Sequence, residues 1–304
     1  MSAPPLLFDR GLHRRRLDRA AGGFSAAGFL KARAAEDAVL RLEAIMRSFP
    51  TAVDLGARDG AFARALQSSP AAERIGLLVE TDLSRTMLAG RGGVRLQADE
   101  ERLPFAEESL DLVVSTLALH WTNDLPGALI QIRRALKPDG LFIGAILGGA
   151  SLTELRQSLM QAEAELSGGA GPRVSPFADV IDAAGLLQRA GFALPVADID
   201  RVQAAYADPL RLIADLRAMG EGNVLVERDR RPLSRAVLAR MGEIYAERFS
   251  RPDGKVVATF EIITMTGWAP HPDQQQPLRP GSAKVRLADA LGVKEQPTGD
   301  KAGG

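Results

Sequence analysis

Between residues 50 and 148, short apolar runs and helix-patterned runs take turns along the chain, and few folds accept that order. "TAVDL", "RIGLLVE", "VRLQA", "LDLVVSTLAL" and "LFIGAIL" are each compact, aliphatic or β-branched, and bounded by turn residues. The stretches between them, "GAFARALQSS", "SRTMLAG" and "LPGALIQIRRAL", read as helices. Strands that alternate with helices are joined by right-handed crossovers, which gives an α/β fold with a parallel sheet covered on both faces. The last of these helices is expected to stop before "KPDG", a turn with Pro138 and Gly140.

The flanks extend this plan. Phe29, Leu30, Val39, Leu40, Leu42, Ile45 and Met46 recur at helical spacing, so a long amphipathic helix over 26–47 leads into the sheet. Further helices are expected at 151–167, 177–190, 208–219 and 233–249, with strands at "VADIDRV" and "KVVATFEIITMTGW". From His271 onward Pro, Gln, Gly and Lys dominate, which reads as a largely disordered tail. The organisation is therefore a basic arm and lid helix over 1–48, a sheet domain over 49–270 with a helical insertion at about 205–250, and a tail over 271–304.

Composition removes several function classes. The formal net charge is zero, so there is no bulk electrostatic case for nucleic acid. No run approaches the roughly 18 apolar residues of a membrane span. With no cysteine there is no disulfide, thiolate nucleophile or Cys-ligated metal site. The three histidines, His13, His120 and His271, form no recognisable metal motif, and no metal is expected.

In an open parallel sheet, ligands bind beyond the carboxyl ends of the strands, where strand order reverses. Four such ends carry polar chemistry here. The first runs from Asp54 to Gly60, with Gly56 letting the backbone pass close to a ligand. The second is "ETDLS", whose Asp82 can accept both hydroxyls of a ribose. In the third, "QADEERLPF", Asp99 can accept from an adenine amino group. The fourth, "LALHW", puts His120 and Trp121 at the rim. Singly, each has a plainer reading: a glycine turn that only packs tightly, or an aspartate that only caps a helix. Together, carboxylates after strands one, two and three point to a nucleoside-bearing cofactor. A dinucleotide loop needs G-x-G-x-x-G to bring a helix N-terminus to the pyrophosphate, and "GARDG" lacks its second and third glycines. S-adenosyl-L-methionine has no phosphate, and Asp54 can bear on its ammonium.

These motifs, with "FAEESLDLVVSTLALHW" and "IRRALKPDGLFIGAI", resemble the class I methyltransferases that use S-adenosyl-L-methionine (SAM), near the malonyl-carrier-protein methyltransferase of biotin synthesis. "FDRGLHRRR", "LALHWTNDLPGAL", "GGASLTELRQSL", "MGEGN", "ATFEIITMTGW" and "RPGSAKVRL" are similar to the assembly-factor family of respiratory complex I. That likeness runs from about Phe8 to Leu287. It implies a Rossmann-like, seven-stranded sheet whose last strand returns antiparallel under a helical cover. It also implies a protein substrate in complex I maturation, since the mitochondrial member hydroxylates an arginine of a complex I subunit. With "FDR" so close to the start, a bacterial cytoplasmic protein is expected, or a mitochondrial-matrix one in a eukaryote.

By motif, the resemblance assigns Asp54, Gly56, Ala57 and Gly60 to the cofactor loop, Asp82 and Leu83 to the ribose, Asp99 and Glu100 to the adenine, and Leu117 to the methyl donor. His120, Trp121 and Tyr206 are the candidate catalytic residues, Tyr206 through a lid. Glu221 and Asn223 are candidates to face substrate, and Arg10, Arg14, Arg15 and Arg16 to close over the cofactor or meet a partner. Arg58 stands where the family has glycine and is expected to point outward beside Asp59. The function expected first is that of a SAM-dependent methyltransferase-like enzyme, with arginine hydroxylation and a non-catalytic assembly chaperone as the alternatives.

Overall fold

The structure is a computed structural model, and it describes residues 6–177, 179–274 and Gly292. The tail from 275 on, Gly292 apart, lies outside the described residues, and with it the motif "RPGSAKVRL". Three helices come first: α1 (Arg10–Ala20), α2 (Phe24–Ala27) and α3 (Phe29–Glu43). The expected single lead helix is thus divided at Gly28. Then follow β1 (Phe49–Leu55), α4 (Ala61–Gln67), β2 (Ile75–Asp82), α5 (Arg85–Leu88) and β3 (Val94–Gln97). The second half of the alternation is β4 (Leu110–Thr116), α6 (Leu125–Ala135) and β5 (Leu136–Leu147). The remaining described elements are α7 (Thr153–Ser167), α8 (Val180–Arg189), β6 (Ala193–Tyr206), α9 (Pro209–Ala218), α10 (Arg235–Phe249) and β7 (Val256–Trp268).

All seven strands form one sheet in the order β3-β2-β1-β4-β5-β7-β6. The first five are parallel, while β7 runs antiparallel to both β5 and β6. The seven-stranded sheet with a returning last strand is therefore present as expected. Central strands bury both faces, which is why they read as unbroken apolar runs rather than alternations. Val53, Leu55, Val113 and Phe142 face the core under α6 and α8; their neighbours Ala52, Leu112, Val114 and Ile143 face the core under α3 and α4. A third core joins α7, α9 and α10 to β7 through Leu155, Leu212, Met241 and Phe260.

Two local expectations change. "KPDG" is not a free turn but part of β5, carried as a bulge: the register moves from Leu110↔Leu136 to Leu112↔Leu141. Asp139 adopts φ +64 there, and hydrogen bonds from Asp139 N to Ala269 O and from Ala269 N to Gly140 O hold it to the sheet. The fourth strand stops at Thr116 instead of running through "LAL", because Leu117 takes φ +49 and turns the chain into a 3-10 turn over Leu119–Trp121. Strand order reverses between β1 and β4, so the carboxyl ends of β1, β2 and β4 open onto one crevice.

Candidate functional site

The loop after β1 is fixed by its own backbone. Gly56 N and Ala57 N both donate to Thr81 O, at 2.9 and 2.8 Å, and Gly60 N donates to Ala57 O at 2.9 Å. Gly56 has φ +78, and a Cβ there would come within 2.2 Å of Ala118 Cβ. Glycine at 56 thus serves both the backbone conformation and close contact with the turn after β4. Tight packing and a ligand-facing loop are the same feature.

Arg58 departs from the sequence expectation. It does not point outward beside Asp59, whose carboxylate instead pairs with Arg64 and accepts from Ser25 Oγ. Arg58 has φ +52, which swings its side chain inward until only 1% of it is exposed. Its backbone N–H and its Nη1 both donate to Asp82 Oδ2, at 2.9 and 2.8 Å, and Glu100 Oε1 lies 3.9 Å from Nη1. The carboxylate assigned to the ribose is therefore held by an arginine of the same loop. Asp82 is not the cap of α5; that role belongs to Ser84, whose Oγ accepts from Met87 N at 3.1 Å. Asp82 Oδ1 instead accepts from Ser84 N at 2.8 Å.

The third strand end is closed by the N-terminal arm. Arg10 Nη2 donates to Asp99 Oδ1 at 2.6 Å and pairs with Glu100, while its Nη1 donates to Trp121 O at 3.2 Å. Of the basic arm, Arg10 closes over Asp99 and Glu100, the pair expected at the adenine, and Arg14 and Arg15 are exposed. Leu83 is buried against Leu17, Ala20 and Phe24, so α1 and α2 roof this side of the crevice.

Asp54 is the opposite case. It is fully buried, and neither carboxylate oxygen has a hydrogen-bond partner. A buried carboxylate left this way is costly and calls for a cation. The nearest is Lys31 of α3, whose Nζ donates to Gly56 O at 2.6 Å and to Thr116 O. Burial holds the Asp54 carboxyl above its ordinary range, with Lys31 pulling the other way; burial likewise holds the Lys31 ammonium below its own range. The sequence reading passed over Lys31. The available signal was its place on the buried stripe of α3, one turn before Ala35 and in line with Ala38 and Leu42.

His120 and Trp121 meet at Glu221, just beyond α9. Trp121 Nε1 donates to Glu221 Oε2 at 2.8 Å, and His120 Nε2 stands 3.3 Å from the same oxygen. The His120 and Trp121 ring centroids are 5.3 Å apart, and His13 lies 5.0 Å from Trp121 on α1. Burial, with Arg58 and Arg10 close by, drives the His13 imidazole well below its usual range, so it is neutral. Tyr206 is not brought to this group. It packs into the core with Leu212 and Tyr245, and burial together with the Asp215 carboxylate pushes its phenol up to about 12. Asn223 lines the wider cleft beside this group, and its Nδ2 donates to Pro172 O at 2.7 Å.

Two hollows meet here. The inner one, bounded by Lys31, Arg58, Leu117, His120 and Glu221, has a volume of about 20 Å³. That is room for about one water molecule. The outer cleft, about 920 Å³, opens past Trp121 and Glu221 between α1, α7 and α9. Of the expected cofactor residues only Leu117 borders the inner hollow; Asp54, Asp82, Asp99 and Glu100 border neither it nor the outer cleft. The Asp54 carboxylate, without a hydrogen-bond partner, suits a cationic group such as the ammonium of S-adenosyl-L-methionine, and Arg58, which borders the inner hollow, is the residue that holds Asp82.

The family described as "Methyltransferase domain" matches residues 53–144, the stretch that carries this loop and the first three strand ends. The chain is 42% identical to "Arginine-hydroxylase NDUFAF5, mitochondrial" of Danio rerio over 290 residues, covering 93% of this chain and 89% of that protein. It is 41% identical to the Homo sapiens protein of the same description, covering 93% and 83%. "Malonyl-[acyl-carrier protein] O-methyltransferase" of Methylovorus sp. (strain MP688) is 34% identical, with 96% of each chain covered. Among solved structures, one from Bacillus halodurans C-125 superposes with a TM-score of 0.52 at 16% identity, over 78% of this chain and 99% of that one.

Proposed function

The chain belongs to the family of the NDUFAF5 arginine-hydroxylases, on the class I methyltransferase fold, and from that premise we propose that it is an enzyme modifying an arginine side chain of a protein partner during complex I assembly. S-adenosyl-L-methionine is the cofactor that suits its acceptors. Asp54 would hold the ammonium, Asp82 the ribose hydroxyls once Arg58 releases it, and Asp99 and Glu100 the adenine, with Leu117 toward the methyl donor. When bound, the cofactor would supply an electrophilic methyl group for methyl transfer.

The observation that carries the reading is Glu221. Its carboxylate borders both the inner hollow and the outer cleft, and no other acidic side chain among the described residues borders the inner one. A guanidinium entering from the cleft meets a carboxylate already oriented by Trp121 Nε1, in a largely dry setting where such pairing is strong. His120 sits on the same oxygen, placed to take or return a proton as the guanidinium reacts. The roof of α1 and α2 excludes water from that exchange.

Hydroxylation, which needs dioxygen and a two-electron reductant as co-reactants from outside the chain, is favoured as the outcome by the relatives at 42% and 41% identity. Methylation is the second reading, favoured by the methyltransferase-domain match and the O-methyltransferase relative. Such an enzyme works in the bacterial cytoplasm, or in the mitochondrial matrix of a eukaryote. Intact-mass and fragment spectra of complex I subunits, with and without the gene, test the proposal. An arginine that loses one oxygen's mass on deletion supports hydroxylation, and one that loses a methylene's mass supports methylation. If no subunit arginine changes while complex I still fails to assemble, the enzyme reading falls and a chaperone remains.

A further inference from the structure

The outer cleft carries a charge pattern that arginine modification alone does not require. Arg16, Arg19, Arg217, Arg228, Arg230 and Arg231 stand around it, in a chain whose formal net charge is zero. Among the described residues, the side chains of Arg16, Arg19, Arg217, Arg230 and Arg231 have no hydrogen-bond or ion-pair partner. Arg228 is tied to Leu225 O at 2.7 Å and lies 3.9 Å from Asp9. Arg173 is committed to Glu163 and Asp229. Among the other described arginines several are ion-paired, as Arg41 is with Asp37 and Asp198.

Crowding sharpens the point. Arg16 lies flat over Gly222, where a Cβ would come within 2.3 Å of its Nη1. Burial and the charges of Arg228, Arg19 and Arg217 hold its guanidinium below the ordinary range. The arginines of this rim outnumber its two carboxylates, Glu221 and Asp229, and like charges gathered around one cleft favour an anion there. The floor beneath them is apolar, formed by Leu155, Leu159, Leu216 and Leu233 among others.

We propose that this cleft binds a segment of the protein partner in which acidic and apolar residues alternate around the target arginine. The deep end at Glu221 takes the one cation, the rim takes carboxylates through two-pronged guanidinium bonds, and the floor takes the apolar side chains. A nucleic acid suits the rim but not the floor, because Trp121 is buried under Phe8 and His13 and Phe177 packs on His120, so neither is free to stack on bases. This rests on the reading of the site as one that modifies a protein arginine.

The test is fluorescence anisotropy on the full chain with a short fluorescein-labelled peptide of alternating glutamate and leucine around one arginine. A lysine-for-glutamate counterpart and an oligouridylate serve as competitors. The acidic peptide should bind, weaken as salt rises, and be displaced by neither competitor. Arg217→Glu with Arg231→Glu should weaken it by about tenfold or more, with an unchanged thermal melt because both side chains are exposed. Arg217→Gln with Arg231→Gln should give a smaller loss in the same direction. Equal binding of the lysine peptide, displacement by the oligouridylate, or no effect of either double variant overturns the proposal. If the acidic peptide fails while an arginine product is still found in cells, the enzyme reading stands and only this inference falls.

Discussion

Replacing Arg58 by glycine tests whether this side chain is the barrier to the cofactor. In the structure the guanidinium and the Asp82 carboxylate are both buried, and removing one partner of such a pair costs about 3–5 kcal/mol. The lower end applies, because Asp82 keeps the backbone donors Arg58 N and Ser84 N. At φ +52 glycine recovers about 1–2 kcal/mol of left-handed strain but loses about 0.5–1 kcal/mol to chain entropy. The free variant should therefore be less stable than wild type by about 2 kcal/mol. The bound state carries no such loss, since wild type must break the same pair to seat the ribose. Affinity for S-adenosyl-L-methionine should rise by the same amount, roughly 30-fold. Urea unfolding with and without the cofactor, together with calorimetric titration, reads both quantities. A variant as stable as wild type that binds no more tightly refutes the reasoning, because Arg58 then neither fills nor guards the site.

Three further outcomes follow from the same geometry. The Asp54 carboxyl is raised in the folded protein, so its stabilising effect is present in acid and is lost as pH rises through that raised value. A bound ammonium reverses the preference, so cofactor binding should release a proton and tighten as pH rises toward neutrality; titrations in buffers of different ionisation heat should show the release, and Asp54→Asn should abolish it. Glu221→Gln keeps an acceptor for Trp121 Nε1 but removes the charge, so arginine product should fall roughly 10- to 100-fold. Its melting temperature should barely move, and a large drop would mean Glu221 is structural. Gly56→Ala drives a Cβ against Ala118 at φ +78 and should cost about 3 kcal/mol in urea unfolding; a variant of wild-type stability would show that the loop relaxes more freely than its hydrogen bonds suggest.

The sheet was legible because its signal is periodic. Two-faced burial writes continuous apolar runs, and every expected strand from Thr51 to Trp268 lies within or against an observed one. The strand-tip carboxylates were legible for the same reason, since chain position alone brings Asp54, Asp82 and Asp99 to one edge. Side-chain direction was not. Whether Arg58 turns toward Asp59 or Asp82 depends on a left-handed φ at one residue, which no spacing encodes. Lys31 was hidden because a lysine on a helix is ordinarily a solvated one. Tyr206 was misjudged through a strand end: drawn to its true length, β6 alternates and delivers residue 206 to the core side.

The loop after β1 has one more consequence. Its amides at Gly56, Ala57, Arg58 and Gly60 all donate within the chain, to Thr81 O, Asp82 and Ala57 O. A diphosphate arriving there finds those four amides already committed, beside the buried carboxyl of Asp54. Discrimination against dinucleotides is thus written into the backbone of the loop, before any side chain is read.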